Sequence, residues 1–185
     1  GEKYLVFATA DGSIRKNNLE DFKKIQANGK IAMKLNTNNY IIGVKLCTDE
    51  DDILLSTKNG KCIRTPVSKL RTTKSRSSVG VRGIKLGSDD KIISLSIISH
   101  MDVTSDEAKA YLKQISESRK SEMESNGHDG VGDDENEVSK NLELNSDRFD
   151  EMKAREQFIL TVTENGYGKR TSSYQFRISN RGGSG

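Results

Sequence analysis

Three stretches of the chain share one pattern of apolar and polar positions. "YLVFAT" (4–9), "DILLST" (52–57) and "FILTVT" (158–163) are short β-rich runs, and each leads into an Asp-Gly or Asn-Gly pair. Such a pair beside an apolar run is the strongest short-range hairpin signal, because a type I′ turn needs positive φ at both central residues. The stretches that follow, such as "KCIRT" (61–65) and "YGKRT" (167–171), are expected to return as second strands. With side chains alternating along a strand, Arg64 and Arg170 then face the opposite way from Ile63 and Lys169.

The three hairpins are copies of one unit. "TADGSIRK", "TKNGKCIR" and "TENGYGKR", starting at Thr9, Thr57 and Thr163, each place Gly three residues after Thr and a cation at the eighth position (Lys16, Arg64, Arg170). Downstream, "GKIAMKL" (29–35) matches "GVRGIKL" (80–86), and "YIIGVKL" (40–46) matches "KIISLSI" (91–97), both 51 residues apart. A period near 50 with several strands per repeat is the signature of a propeller blade. The expected fold is all-β, with propeller-like blades of antiparallel strands: two blades over 1–98 and the start of a further one over 156–185. The third copy ends before its downstream half, so the chain is expected to be a stretch of a longer array.

Residues 99–155 read differently. Thr104 and Glu107 form a capping-box pattern, and Ala108, Tyr111, Leu112 and Ile115 recur at helical spacing, so a helix is expected from about 105 to 124. The following "SNGHDGVGDDENEVSKNLELNSD" (125–147) has too little apolar content to offset its ordering entropy, and disorder is expected there. Charge separates the same regions. The insertion holds 15 acidic against 8 basic side chains, which leaves the remainder at net +10 within an overall +3. An acidic insertion beside a basic array is either an inert surface addition or a competitor for whatever the array binds.

The basic remainder points to a polyanion. Lys16, Arg64 and Arg170, with Lys169, would form a stripe along the array, and stripes of positive charge track a phosphate backbone. "SRSSVG" (75–80) and "NRGGSG" (180–185) each set an arginine, Arg76 and Arg181, four residues before a glycine, a composition that brings backbone N–H groups and a guanidinium to an anion. Five Tyr, five Phe and no Trp supply few platforms for stacking single-stranded bases, so duplex DNA held by its phosphates fits better. The single cysteines Cys47 and Cys62 lack metal-ligand spacing, "DEDD" (49–52) reads as a solvated turn, and Tyr167 follows a turn whose equivalents are Ser13 and Lys61. No Walker lysine motif or membrane-length apolar run occurs. A binding module is expected, without cofactor, membrane partner or catalytic residue of its own.

Taken together, "FATADGSIRKNNLEDFKKIQANGKIAMKL" (7–35), "GVRGIKLGSDDKIISL" (80–95) and "LTVTENGYGKRTSSYQFR" (160–177) resemble the C-terminal domain of bacterial DNA gyrase A. The resemblance implies a β-pinwheel whose basic rim wraps duplex DNA in an ATP- and Mg-dependent, cytoplasmic type II topoisomerase, in company with the remainder of gyrase A and with gyrase B. It also implies that Lys16, Arg64, Arg76, Arg82, Lys169, Arg170 and Arg181 contact DNA. "SNRGGSG" (179–185) resembles a degenerate form of that family's Gln-Arg-Arg-Gly-Gly-Lys-Gly box, with Asn180 and Ser184 in place of basic residues. The alternatives are the equivalent domain of topoisomerase IV and a propeller-like module that binds an acidic protein.

Overall fold

A computed structural model describes residues 1–24, 26–125 and 143–185, with side chains described outside 121–125. The chain forms two compact units, one of residues 1–100 with 176–185 and one of residues 101–175. The fold is mostly antiparallel β-sheet with a small helical content.

In the first unit, β1 (Tyr4–Thr9) and β2 (Ser13–Asn18) make one hairpin, and β4 (Asp51–Thr57) and β5 (Cys62–Pro66) make the second. Each hairpin gains a third strand on its first arm: β3 (Ile41–Cys47) beside β1, and β7 (Ile92–Ser99) beside β4. The two-residue strand β6 (Val81–Arg82) pairs with β2, giving sheet orders β3-β1-β2-β6 and β5-β4-β7. Val6, Ala8 and Ile14 on one sheet and Ile53, Leu55 and Ile63 on the other bury their side chains in one core, with Ile84, Ile92 and Leu95. Period-two alternation explains this: residues two apart share a face, so one face of each run is apolar and turned inward.

The turns depart from the type I′ expectation. Gly12, Gly60 and Gly166 have positive φ, whereas Asp11, Asn59 and Asn165 do not. The carbonyls of Thr9, Thr57 and Thr163 instead accept from the N–H of the glycine three residues on. This is the longer hairpin loop, a tight turn closed by a left-handed glycine. It also accounts for the recurring threonine: the Thr57 and Thr163 hydroxyls accept from the N–H of Lys61 and Tyr167, and the Thr9 hydroxyl bonds Asp11 and the Ser13 carbonyl. A threonine side chain thus satisfies turn groups that the ladder leaves open. At Gly12 a side chain would also meet the Ile84 carbonyl at 2.8 Å.

Sequence repeats and sheets do not coincide. After β5 the chain returns to the first sheet, where the Thr73 N–H donates to the Lys16 carbonyl at 2.7 Å and β6 closes the edge. Residues 176–185 do the same for the second sheet, with Ser179 N–H donating to the Arg64 carbonyl at 2.9 Å. Each of the two hairpins of this unit is therefore flanked by chain from the following repeat.

In the second unit, α1 (Ser105–Ser125) starts at a reciprocal capping box. The Glu107 carboxylate accepts from Thr104 N–H at 2.8 Å, and the Thr104 hydroxyl accepts from Glu107 N–H at 3.1 Å. A second helix, α2 (Ser146–Arg155), begins inside the stretch expected to be disordered, and the Asn145 side chain caps it by accepting from Arg148 N–H at 2.8 Å. Met152 and Tyr111, both fully buried, pack with Met101 and Tyr174, supported by Phe149, Leu144 and Leu112. Residues 126–142 of the stretch expected to be disordered lie outside the described residues. The hairpin of β8 (Phe158–Val162) and β9 (Gly168–Ser172) completes this unit as a two-stranded sheet.

Candidate nucleic-acid interface

The repeated cation is buried in the first two copies. Lys16, 4% exposed, places its ammonium 2.6 Å from an Asp49 oxygen, donates to the Val67 carbonyl at 3.1 Å and stands 3.9 Å from the centroid of the Tyr4 ring. Arg64, 3% exposed, donates through Nε to Asp52 at 2.7 Å, and the other Asp52 oxygen lies 2.7 Å from His100 Nδ1. Of "DEDD", Asp49 and Glu50 form the expected exposed turn, but Asp51 and Asp52 belong to β4 and Asp52 is fully buried: Asp49 and Asp52 pair with the repeated cations, and Asp51 accepts from the Thr48 N–H and hydroxyl. The outward stripe expected of Lys16 and Arg64 is thus not formed. In the third copy Arg170 is exposed and lies 4.2 Å from the centroid of the Phe158 ring, with Lys169 also exposed on the opposite face.

One geometric rule covers the three copies. Tyr4, Asp52 and Phe158 each lie eight residues before the turn glycine, and the cation reaches diagonally across the hairpin to that residue. An aromatic face or a carboxylate serves the same purpose there, since both attract a cation.

Two further groups of cations lie on the first unit, exposed but for the half-buried Arg76. Lys24, Lys30 and Arg76 line a cleft with Phe22, Gln26, Gly29 and Ile31. Beyond it, the two glycine-containing segments lie side by side: Gly182 N–H donates to the Gly83 carbonyl at 2.6 Å, Lys85 N–H to the Gly183 carbonyl at 2.7 Å, and Arg181 Nη1 to the Arg82 carbonyl at 3.0 Å. Arg82, Lys85 and Arg181 are all exposed. The structure so brings Arg82 and Arg181 together and sets Arg76 in the cleft, while Lys169 and Arg170 belong to the second unit. Gly80, at positive φ, fits because a side chain there would collide with the Ile14 carbonyl.

Sequence reasoning missed Lys24, Lys30 and Lys85; the hints are the lysine density of "FKKIQANGK" (22–30) and the repeat of Lys34 at Lys85, 51 residues on. Arg15 was missed as well. It is 1% exposed and donates to the carbonyls of Ala32, Arg76 (2.7 Å) and Ser78 (2.8 Å). Burial pulls its guanidinium below the ordinary value, and the nearby Asp21 carboxylate pulls it back up. Among the described residues no group of three or more His, Cys, Asp or Glu is gathered for a metal ion, and no helix is long and apolar enough to cross a membrane.

Known proteins share this sequence and fold. The chain is 46% identical to the DNA gyrase A of Rickettsia bellii over 181 residues, 98% of this chain and 19% of that protein. It is 33% identical to the DNA gyrase A of Staphylococcus epidermidis over 184 residues, 100% of this chain and 15% of that one. The chain thus spans less than a quarter of the length of these curated relatives. Its fold matches a solved DNA gyrase A C-terminal domain (TM-score 0.63, 20% identity, 100% of this chain and 42% of that one). It matches the C-terminal domain of DNA topoisomerase IV equally well (TM-score 0.63, 17% identity, 99% and 40%). Residues 3–48, 51–99 and 157–185, which contain all three hairpins, match the DNA gyrase C-terminal domain, beta-propeller, and the chain belongs to that family.

Proposed function

We propose that this chain is a DNA-wrapping part of a gyrase A, which supports ATP-dependent negative supercoiling together with the remainder of gyrase A and with gyrase B in the bacterial cytoplasm. The observation that carries this reading is a pair of cation clusters, Lys24–Lys30–Arg76 and Arg82–Lys85–Arg181, exposed but for the half-buried Arg76, on a chain of this family. Lys169 and Arg170 add exposed charge on the third hairpin. Lys16 and Arg64 support the interface from beneath as hairpin ties.

The chemistry is phosphate neutralisation. Each cation that displaces counterions contributes to affinity without reading bases, so binding is indifferent to sequence and steep in salt. Smooth bending of 20–30 bp by 40–90° costs on the order of 1–6 kcal/mol, which several charge-assisted phosphate contacts offset.

The test is titration of this chain against a fluorescent duplex of about 40 bp across a salt series. The expected result is a log–log slope of several units, about −0.9 per phosphate neutralised, with little dependence on sequence. Absence of binding at low salt would overturn the reading. Tight, weakly salt-dependent capture of an acidic protein without DNA binding would favour the other class of partner.

A further inference from the structure

Arg15 is a charge placed where a core residue would serve. It lies mid-strand in β2, paired with Phe7 and 1% exposed, and its guanidinium sits 4.9 Å from the Phe7 ring centroid. A buried charge needs partners, and a carboxylate is the usual one. Here the partners are loop carbonyls: Arg76 and Ser78 through Nη1, Ala32 through Nη2, with Nε donating to Asn17 Oδ1 at 2.6 Å. Asn17 extends the grip, its amide donating to the Thr73 carbonyl at 2.7 Å. Only a planar fork with five fixed donors reaches two loops at once; an ammonium has neither the span nor the fixed directions.

The two loops so joined are those that bear the cleft's cations. Lys24 and Lys30 precede Ala32 on one, and Arg76 itself offers its carbonyl on the other. We infer that Arg15 is a positioning residue for phosphate binding, a buried clamp that holds the loops around 26–33 and 73–80 together so that Lys24, Lys30 and Arg76 converge on one phosphate. The inference rests on the DNA-binding reading. Arg15 itself does not touch DNA, because it is 1% exposed and its guanidinium is engaged by Asn17 and the two loops.

The test uses the full 185-residue chain with Arg15→Gln, Arg15→Lys and Arg76→Gln, the last of which keeps the backbone carbonyl that Arg15 uses. Hydrogen exchange without DNA is expected to show both loops loosening together in Arg15→Gln while the hairpin strands stay protected. Against the 40-bp duplex, its salt slope should become shallower by about 1 unit, the equivalent of the one phosphate on which the three cations converge. Arg76→Gln should cost less affinity in the Arg15→Gln background than in the unaltered chain, a coupling that general destabilisation does not produce. Arg15→Lys keeps the charge without the fork and should resemble Arg15→Gln; it also replaces Arg15→Gln if that variant fails to fold.

Strict additivity, an unchanged slope, or full rescue by Arg15→Lys would overturn the clamp. If the unaltered chain binds no duplex, the DNA-binding reading falls, and with it the phosphate role. Hydrogen exchange then separately decides whether Arg15 joins the loops.

Discussion

Arg64 and Arg170 hold the same place in two copies of one hairpin, yet one is buried against a carboxylate and the other is exposed above an aromatic ring. Leu54 and Leu160, again the same position, are 1% and 69% exposed. The local backbone is alike: five antiparallel pairs, a threonine-capped turn and a left-handed glycine in both. What differs is cover. The β4–β5 hairpin has β7 on one side and returning chain on the other, whereas β8–β9 is two-stranded and its unit is anchored at Tyr174, whose hydroxyl donates to the Met152 carbonyl at 2.7 Å. A hairpin of this kind contributes a shape; its neighbours decide whether a cation on it is a tie or a contact.

The largest expected contrast lies in the cations. Arg64→Met leaves Asp52 buried without its guanidinium and should cost about 3–5 kcal/mol of stability. Arg170→Met removes an exposed cation–π contact and should cost no more than about 1 kcal/mol. Urea unfolding of both variants checks this, and equal losses would break the comparison. The leucines sharpen it further: Leu54→Ala should cost about 2–5 kcal/mol as a core truncation, while Leu160→Ala should stay within about 0.5 kcal/mol.

A smaller effect concerns the helical support of the second hairpin. The Glu107 carboxylate is held below its ordinary value of 4.5 by the Thr104 N–H and by Arg148, 2.9 Å away. An unfolded chain therefore binds the proton more readily than the folded one, so this contribution is present above about pH 4.5 and is lost as pH falls through the lower folded value. Near-ultraviolet circular dichroism from Tyr111 and Tyr174 should weaken on acidification below that point. Glu107→Gln should flatten this acid dependence. Thr104→Ala, which removes the hydroxyl half of the capping box, should cost about 1 kcal/mol at neutral pH.

Much of the local structure was legible. The hairpins were readable because alternation and a turn glycine act within ten residues, and the Thr104–Glu107 cap because its two hydrogen bonds join residues three apart. The turn class was read wrongly, since Asn-Gly and Asp-Gly suit two loop geometries and the threonine hydroxyl selects between them. The second helix escaped notice because α2 carries only Phe149 and Met152 as large apolar residues, and their partners Tyr111 and Tyr174 are remote in sequence.

The repeating unit, its hairpin strands and the places of its turns, the basic balance outside residues 99–155 and the family likeness could all be read from residue order, because each depends on local preference or on composition. It took the packed sheets to show which of the equivalent cations are ties, that the first two sheets are each closed by chain from the next repeat, and that Arg82 meets Arg181 and Arg15 meets Arg76. Those outcomes turn on which surfaces cover one another. Burial makes a lone charge seek a partner, and for Arg15 that partner stands some sixty residues away along the chain.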